Sequence, residues 1–404
     1  MKTVAVICEY NPFHGGHAYL FEQIRKVYGE DSAIVCIMSG NFTQRGEAAT
    51  VRKQVRAAIA TEGGADLVLE LPFPYSSSAA ERFARAGVHI AASLGCVDVL
   101  AFGAENANAE LLTAVARRLN SPEYREAYFA ADASLGSANK CEAVYRSLYG
   151  EGAELAVLRS PNNLLGIEYI RAILAEGAKI EPCAILRVGA GHDKDGGENE
   201  LYPSGKSIRD AWESGDKDAL SRLPYYSAEA IETELSERKS LADNKIMLNY
   251  LLMHYRLNSP DTYRDADGMG GGLFARIQRA AQDACDGTDF FNRLKTKKYT
   301  DAFLRRALLT GVFGIDREIL NRLPSYTQVL AMSEVGQKLL AKIRKTAQIT
   351  ILTKPGDAKD LPAPTREEAF LTMRADSLYS ALFRVPFSPA DTVRYRPYRK
   401  KSQS

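Results

Sequence analysis

The sequence predicts an α/β fold, in which a Rossmann-like parallel sheet is followed by a mostly α-helical C-terminal domain. Through about residue 215, short apolar runs alternate with segments whose apolar residues recur at helical spacing, the pattern of strands joined by crossover helices. From about residue 219 onward, helical spacing dominates. A chain of 404 residues exceeds the usual size of a single core, so we expect two domains, residues 1–219 and residues 220–404.

The predicted elements of the first half follow one another in regular order. Apolar runs predict five strands, Thr3–Cys8, Ala33–Met38, Leu67–Leu71, Val97–Phe102 and Ile180–Leu186. Helical spacing predicts five helices, Gly16–Tyr28, Val51–Thr61, Ala80–Ser93, Glu110–Leu119 and Leu165–Ala175. Polar or glycine-containing segments follow the strands, at Glu9–His14, Ser39–Phe42, Pro72–Ser78, Gly103–Asn106 and Arg187. Because ligands of open α/β sheets bind outside the carboxyl ends of the strands, we expect these segments to form one site.

The second half is predicted to consist of helices and loops. Leu- and Ala-rich stretches predict helices over Ala242–Tyr255, Leu273–Cys285, Ala302–Phe313, Val335–Ala347 and Glu367–Leu382. Glycine-rich Asp267–Gly272 and proline-rich Lys354–Pro364 are typical of loops, as is Asp193–Tyr202 in the first half. The pattern gives no further candidate strand after Leu186, and the second half is predicted to be mostly helical.

Two histidines lie where the first predicted strand meets the first predicted helix, in the stretch Asn11–His17. A helix N-terminus presents free N–H groups, Gly15 and Gly16 let a phosphate come close, and the imidazoles add donors, which suits a nucleotide triphosphate. A lone histidine at such a place is more often a cap or a core residue, and a His-x-x-His pair can also bind a metal. No Cys-x-x-Cys or His-Glu-x-x-His pattern supplies further ligands, and two of the five histidines lie in this turn. We therefore favour the phosphate interpretation.

Several motifs give the chain a resemblance to a known family. The His14-Gly15-Gly16-His17 turn resembles that of the nucleotidyltransferase superfamily, whose members condense ATP with an acid, alcohol or phosphate and expel pyrophosphate. Longer motifs resemble one family within it, the bacterial tRNA(Met) cytidine acetate ligases: EYNPFH at 9–14, MSGNFTQRGE at 38–47, DLVLELP at 66–72, FGAE at 102–105, SPNNLLGIEY at 160–169 and RVGAGHD at 187–193. These motifs occur in order over about the first half of the chain, and the second and fifth are the most specific.

The resemblance implies catalytic roles for His14 and His17 and the use of ATP with Mg²⁺, without a metal ligand from the protein. The ATP-binding residues that it implies are Ile7, Cys8, Glu9, Tyr10, Asn11, Pro12, Phe13, His14, Gly15, Gly16, His17, Ala18, Tyr19, Leu20, Gly103, Asn162, Asn163, Arg187, Val188, Ser207 and Arg209. In this set, Ser207 and Arg209 would contact the triphosphate. A plain helix cap at Ser204 explains that segment nearly as well.

The resemblance also implies an activity in two half-reactions. Acetate and ATP would form acetyl-adenylate with release of pyrophosphate, and the acetyl group would pass to N4 of the wobble cytidine of elongator tRNA(Met). Candidate contacts to acetate or tRNA are Ser39, Asn41, Gln44 and Arg45, although Arg45 could equally pair with Glu47. Two alternatives stay open: a small-molecule adenylyltransferase of the same superfamily, and a non-catalytic RNA-binding protein that keeps the nucleotide fold as a scaffold.

Composition predicts a soluble cytoplasmic protein with no membrane contact, and the sequence implies no stable protein partner. No apolar run approaches the ~20 residues that span a bilayer, and no signal-peptide pattern is present. The net charge is only +2, so RNA binding would depend on a local basic cluster. One candidate is the basic tail Arg394–Lys401, which a solvated chain end explains better. The other contains the candidate tRNA contacts Lys295, Lys297, Lys298, Arg305 and Arg306, although a solvated helix face explains it equally well.

Overall fold

The computed structural model describes residues 1–132, 137–188, 202–216 and 218–401. The strands are β1 Thr3–Cys8, β2 Ala33–Ser39, β3 Leu67–Leu71, β4 Val99–Ala104, β5 Glu181–Leu186, β6 Tyr326–Met332, β7 Thr350–Leu352 and β8 Tyr398–Arg399. The α-helices are α1 Gly15–Tyr28, α2 Lys53–Glu62, α3 Ala80–Ser93, α4 Ala109–Asn120, α5 Pro122–Ala130, α6 Ser137–Tyr149, α7 Ala153–Val157, α8 Pro161–Glu176, α9 Gly205–Glu213, α10 Tyr225–Arg238, α11 Asn244–Leu257, α12 Leu273–Asp283, α13 Gly287–Leu294, α14 Asp301–Phe313, α15 Arg317–Asn321, α16 Glu334–Thr346, α17 Ala363–Ser380 and α18 Pro389–Arg394.

One mixed sheet organises these elements. Its strand order is β5-β4-β1-β2-β3-β6-β7, and β8 pairs with β6. Strands β1 to β5 are parallel to their neighbours, whereas β6 runs antiparallel to β3. The chain adds β2 and β3 on one side of β1 and then crosses to place β4 on the other side. The strand order therefore reverses between β1 and β4, and such a reversal opens a ligand crevice at the carboxyl ends of the strands.

The predicted α/β fold is confirmed. The five predicted strands form as β1 to β5, and the ten predicted helices form as α1 to α4, α8, α11, α12, α14, α16 and α17. Helix α8 begins at Pro161, four residues before the predicted start at Leu165. A proline is accepted in the first turn of a helix because its missing N–H would have had no partner there. The predicted loop over Asp193–Tyr202 lies outside the described residues except for Tyr202.

The described part of the chain contains three strands after Leu186 that the spacing did not predict. β6 extends the sheet next to β3, with β7 and β8 on its other side. All seven residues of β6 are buried, and a short buried run does not distinguish a strand from a helix by its spacing. The domain boundary between residues 219 and 220 stays a prediction, and a segment far beyond it belongs to the sheet of the first half.

Apolar cores cover both faces of the sheet. Helices α3, α4 and α8 pack on one face, and α1, α2, α9 and α10 pack on the other. A third core, built from α11 to α15 and α17, also buries Phe42 and Phe73, which follow β2 and β3. The helical half is therefore docked at the carboxyl ends of these two strands. In the part of the chain that the structure describes, no helix has the length and apolarity required to cross a membrane.

A buried ionic network joins the two halves. Lys53 of α2 donates to both oxygens of Glu70 in β3, at 2.7 and 2.9 Å, and to Asp376 of α17 at 2.7 Å. Asn41 donates to the other oxygen of Asp376 at 2.8 Å and accepts the backbone N–H of Lys53 at 2.8 Å. Each of these residues is at most 4% exposed, so hydrogen bonds must compensate the loss of hydration. The network fixes the start of the loop that follows β2.

Candidate active site

The two histidines cap the start of α1 reciprocally. His14 is the N-cap residue, and its Nδ1 accepts the backbone N–H of Gly16 at 3.1 Å. His17 lies in the first turn of α1, and its Nδ1 accepts the backbone N–H of His14 at 3.2 Å. The two rings lie side by side, with centroids 3.8 Å apart and planes inclined by 30°. Both imidazoles are thereby fixed at the carboxyl end of β1.

Burial keeps both imidazoles neutral. Loss of hydration, together with the charges of Arg187 and Arg209, lowers the pKa of His14 to about 4. Loss of hydration also lowers the pKa of His17 well below its usual value, with contributions from His14 and Arg187. Because each Nδ1 uses its lone pair as an acceptor, each neutral ring carries its hydrogen on Nε2. The turn therefore presents two Nε2–H donors at a helix N-terminus, and neither ring has a free lone pair to accept a proton.

Positive charge reaches this turn from two further elements. Arg187 follows β5, and its backbone N–H donates to Ala104 at 2.9 Å. Its side chain passes over Gly103, where a Cβ would lie only 3.2 Å from Cγ of Arg187. Arg209 of α9 donates to the carbonyl of Asn11 at 2.6 Å. Two guanidinium groups thus lie next to two neutral donors, an arrangement suited to the oxygens of a polyphosphate.

A second helix N-terminus adjoins the histidines. Helix α9 begins at Gly205, where a Cβ would lie 3.1 Å from the carbonyl oxygen of Asn11 and 3.6 Å from the ring of His14. Ser204 caps α9 by accepting the N–H of Ser207 at 3.1 Å, and the hydroxyl of Ser207 donates back to Ser204 at 2.9 Å. The helix-cap interpretation of this segment is thus confirmed. A role of Ser207 in binding triphosphate stays a prediction.

Glu105 connects the end of β4 to the start of α8. Its carboxylate accepts the backbone N–H of Asn163 at 2.9 Å and the side-chain amide of Asn162 at 2.6 Å. Asn163 is only 2% exposed, and its side-chain oxygen accepts the N–H of Asn106 at 3.0 Å. Asn163 therefore shapes this loop. The half-buried Asn162 is the more suitable of the two for contact with a ribose or a base.

The remaining residues of the predicted segment 7–20 mostly support the histidines. The rings of Tyr10 and Phe13 pack against His17, with centroid distances of 4.8 and 5.4 Å. Tyr10 adopts a φ of +49°, in the left-handed region that few non-glycine residues occupy. Ile7 and Cys8 are buried in β1, and Val188 is exposed beyond β5. The other residues of the predicted set surround the turn: Pro12, Gly15, Gly16, Ala18, Tyr19 and Leu20.

The loop after β2 lies between Glu9 and the helical half. Glu9 accepts the backbone N–H of Gln44 through Oε1 at 2.7 Å, and the carbonyl of Gln44 accepts Arg306 at 2.9 Å. Glu47 forms an ion pair with Arg305 at 3.0 Å. The Arg45–Glu47 pair, which the sequence analysis gave as an alternative, is not formed. Arg45 is exposed and has no hydrogen bond or ion pair to any residue that the structure describes. Of this loop, Gln44 and Arg45 remain candidates for substrate contact.

Ser39 and Asn41 are buried at the start of the same loop, and their expected contact with acetate or tRNA stays a prediction. Asn41 uses its amide oxygen and its amide nitrogen in the ionic network. Ser39 is 0% exposed, and its carbonyl accepts Arg56 at 3.1 Å. Arg56 is itself fully buried and also donates to the carbonyl of Glu9 at 2.6 Å. It clamps the ends of β1 and β2 together.

The five basic candidates of the helical half have different surroundings. Lys295 pairs with Asp301 at 3.2 Å, and Arg305 is held by Glu47. Lys297 and Lys298 are exposed, whereas Arg306 is half-buried with the Gln44 carbonyl as its hydrogen-bond partner.

The basic tail packs on the sheet through its aromatic residues. The hydroxyl of Tyr395 donates to the Leu330 carbonyl at 2.7 Å, and that of Tyr398 donates to Glu62 at 2.7 Å. These contacts anchor β8 and make the tail a structural element.

The polar groups around the histidine turn suit phosphate oxygens better than a metal ion. Within residues 1–132, 137–188, 202–216 and 218–401, no group of three or more His, Cys, Asp or Glu side chains could hold a metal ion. Mg²⁺ prefers oxygen ligands, whereas the histidine turn offers N–H donors and guanidinium groups. These groups fit phosphate oxygens.

Comparison with known proteins identifies the class that this fold and site define. The model of the HIGH Nucleotidyl Transferase family matches residues 1–392, so the protein is a HIGH nucleotidyl transferase. Three curated relatives are named tRNA(Met) cytidine acetate ligase. The protein of Halothermothrix orenii is 31% identical and the alignment covers 87% of each chain. Those of Caldanaerobacter subterraneus subsp. tengcongensis and Thermotoga maritima are 33% and 32% identical, over 89% and 93% of this chain and 90% and 94% of theirs.

Solved structures agree with the sequence comparison. The crystal structure of Thermotoga maritima TmcAL bound with alpha-thio ATP has a TM-score of 0.90 and 29% identity, and covers 99% of this chain and 100% of that one. The apo form of the same protein also has a TM-score of 0.90, with 30% identity and the same coverage. The chain belongs to the tRNA(Met) cytidine acetate ligase family.

Several residues that build the site had no individual role predicted from the sequence. Glu105 caps α8 and Arg56 clamps β1 to β2. Tyr202 covers the start of α1, since a Cβ on Gly15 would lie 2.4 Å from its ring. The position of Glu105 after a strand was a usable signal. Arg56 lies within a helix, where no local pattern marks it, and its role follows only from tertiary packing.

Proposed function

We propose that this protein activates acetate as acetyl-adenylate and transfers the acetyl group to N4 of the wobble cytidine of elongator tRNA(Met). Membership of the family supports this, as does the alpha-thio ATP bound by the structural neighbour. The observation that carries the proposal is the pair of neutral imidazoles, whose Nε2–H groups adjoin Arg187 and Arg209. Such a set of donors suits a reaction at the α-phosphate of ATP.

In the first half-reaction, an oxygen of acetate attacks the α-phosphorus of ATP. The bond from this phosphorus to the oxygen that bridges to the β-phosphate breaks, and pyrophosphate leaves. Both reactants are anions, so positioning and charge neutralisation are what the protein can contribute. His14 and His17 donate to the phosphate oxygens, and the two arginines neutralise the developing charge. Mg²⁺ would bind together with the triphosphate, because phosphate oxygens are ligands that it prefers.

In the second half-reaction, N4 of cytidine attacks the acetyl carbon, the bond from this carbon to AMP breaks, and N4 loses a proton. The histidines cannot accept this proton, because both Nδ1 lone pairs are engaged. Glu9 is a suitable acceptor, since the Gln44 N–H holds only one of its oxygens. Burial raises the pKa of Glu9, although Arg56, Arg209 and Arg45 oppose this shift. A raised carboxylate pKa favours proton transfer near neutral pH.

The proposal is tested by incubating the full chain with ATP, Mg²⁺, acetate and elongator tRNA(Met). Nucleoside mass analysis should find N4-acetylcytidine at the wobble position, together with AMP and pyrophosphate. Pyrophosphate release without acetate, with AMP joined to another acceptor, would indicate the small-molecule adenylyltransferase. Bound tRNA without pyrophosphate release would indicate the non-catalytic RNA-binding protein.

The role of Glu9 is tested by Glu9→Gln, which keeps the hydrogen bond from Gln44 but removes the base. Hydroxylamine captures acetyl-adenylate without help from the protein, so acetohydroxamate formation reports the first half-reaction. We expect acetyl transfer to tRNA to fall by about 10²-fold or more relative to acetohydroxamate formation. An equal decrease of both reactions would contradict a role of Glu9 as the base.

A further inference from the structure

A cleft of about 690 Å³ lies between the segment that follows β3 and the helical half. The start of α3 forms one wall, through Ser77, Ser78 and Arg82. Helix α14 and the glycine-rich turn before α12 form the other, and Arg306 lies between the walls. The cleft has the volume of a site for one nucleotide-sized ligand. No residue of the histidine turn lines it.

The cleft carries an excess of positive charge. It is lined by five cations and by the two carboxylates of Asp265 and Asp267, and the cations are Arg82, Arg264, Lys298, Arg306 and Arg317. Asp267 is engaged by Arg82 at 2.9 Å. Arg317 is exposed and has no hydrogen bond or ion pair within the described part of the chain. The free charge of the cleft is therefore suited to an anion.

Arg306 is the cation of the cleft that a bound anion would stabilise most. Its guanidinium donates to a neutral partner, the Gln44 carbonyl, at 2.9 Å. Burial lowers its pKa to about 10, and Asp267 only partly offsets this effect. A half-buried cation without a directly bonded carboxylate loses part of its hydration, and a phosphate in the cleft would supply the missing charge.

Aromatic side chains line the same cleft. The rings of Tyr299 and Phe303 are parallel within 12°, with centroids 5.1 Å apart. The hydroxyl of Tyr299 donates to the carbonyl of Gly271 at 2.8 Å, which fixes the ring against the glycine-rich turn. A cation next to a fixed aromatic ring is the combination with which proteins bind single-stranded RNA, through phosphate contacts and base stacking.

We propose that this cleft binds one unpaired nucleotide of the RNA substrate, with its phosphate on Arg306 and Arg317 and its base against Tyr299. The inference rests on the proposed function and adds a binding site to it. Gln44 connects the two sites, because its carbonyl accepts Arg306 and its N–H donates to Glu9. A nucleotide held in the cleft would place a neighbouring base of the same strand next to the nucleotide crevice.

The test compares two double variants of the full-length protein. Lys298→Ala/Arg317→Ala removes two cations from the cleft. Arg344→Ala/Lys345→Ala removes the same two charges from the exposed end of α16, where neither residue has a hydrogen bond or ion pair to a described residue. The dissociation constant of fluorescently labelled elongator tRNA(Met) is measured at several salt concentrations. We expect the cleft pair to raise Kd by about tenfold or more and to lower the salt slope by about 0.7, since one single-strand phosphate contact contributes about 0.7.

The control pair should change Kd by less than about threefold. Equal effects of the two double variants, or no effect of either, would overturn the assignment of the cleft as an RNA-binding site. Tyr299→Leu should weaken binding and Tyr299→Phe should restore it, whereas equal binding by both variants would overturn the stacking contact. Acetate-dependent exchange of pyrophosphate into ATP is measured on the same preparations without RNA. If the wild-type protein shows no acetate-dependent exchange, the proposed function is refuted. If exchange occurs but the cleft pair binds tRNA as tightly as the wild-type protein, only the role of the cleft in RNA binding is refuted.

Discussion

Replacement of Lys53 by Met should destabilise the protein strongly. The Lys53 ammonium makes three hydrogen bonds of 2.7 to 2.9 Å to Glu70 and Asp376, and all three residues are at most 4% exposed. Methionine fills a similar volume but leaves two buried carboxylates without a cation. Breaking a buried ion pair by removing one partner typically costs about 3–5 kcal/mol. We expect a decrease of that size in the free energy of unfolding at pH 8.

The penalty should also depend on pH. The pKa of Glu70 is raised to about 7, because burial and the charge of Asp376 outweigh the opposing effect of Lys53. Loss of Lys53 raises this pKa further, so the variant keeps Glu70 protonated. A carboxyl whose folded pKa exceeds its unfolded value stabilises the fold at low pH, and this contribution is lost as pH rises. Between pH 6 and pH 8, the penalty of the variant should grow by about 1 kcal/mol.

Equilibrium denaturation in urea, followed by intrinsic fluorescence at pH 6 and pH 8, measures both effects. Lys342→Met, an exposed lysine on α16, is the matched control and should change stability by less than about 0.5 kcal/mol. A loss below about 1 kcal/mol for Lys53→Met, or a penalty that does not grow between the two pH values, would refute the assignment of a buried charged network.

Three further predictions concern the active site and its support. His17→Ala should lower acetate-dependent pyrophosphate exchange by about 10²–10³, because it removes one donor, and unchanged exchange would contradict the assignment. Gly166→Ala should cost about 1–3 kcal/mol in thermal unfolding, since the new Cβ would lie 2.3 Å from the Phe102 ring. A pKa of His14 near 4, below the usual 6.5, gives a stabilisation that is present above pH 6.5 and lost as pH falls towards 4, about 3 kcal/mol at most. His14→Gln should therefore flatten the pH dependence of unfolding in this window, and an unaltered curve would contradict it.

Much of the first half could be predicted because its signals are local. Each of β1 to β5 is a short apolar run bounded by polar or glycine residues, and parallel strands covered on both faces have this pattern. The histidine turn was likewise marked by residue types at fixed spacing between a strand and a helix. Spacing does not predict the reciprocal capping that sets both tautomers, because this capping depends on the three-dimensional geometry of the turn.

The features that the sequence did not reveal depend on contacts between distant residues. β6 pairs with β3 across the helical half, and no local pattern marks this pairing. Lys53 and Asp376 are 323 residues apart in the chain, so the burial of Asn41 beside them had no local signal. Lys298 and Arg306 were identified as a basic cluster, but their cleft also requires Arg82 at the start of α3.

The histidine turn is proposed to promote the condensation of acetate with ATP. The most direct measurement is the exchange of labelled pyrophosphate into ATP, with and without acetate and in the absence of RNA. We predict exchange that depends on acetate and falls by about 10²-fold or more in His14→Ala, because the turn loses an Nε2–H donor and the N-cap of α1. Exchange that is independent of acetate, or that is unaltered in His14→Ala, would contradict this role of the histidine turn.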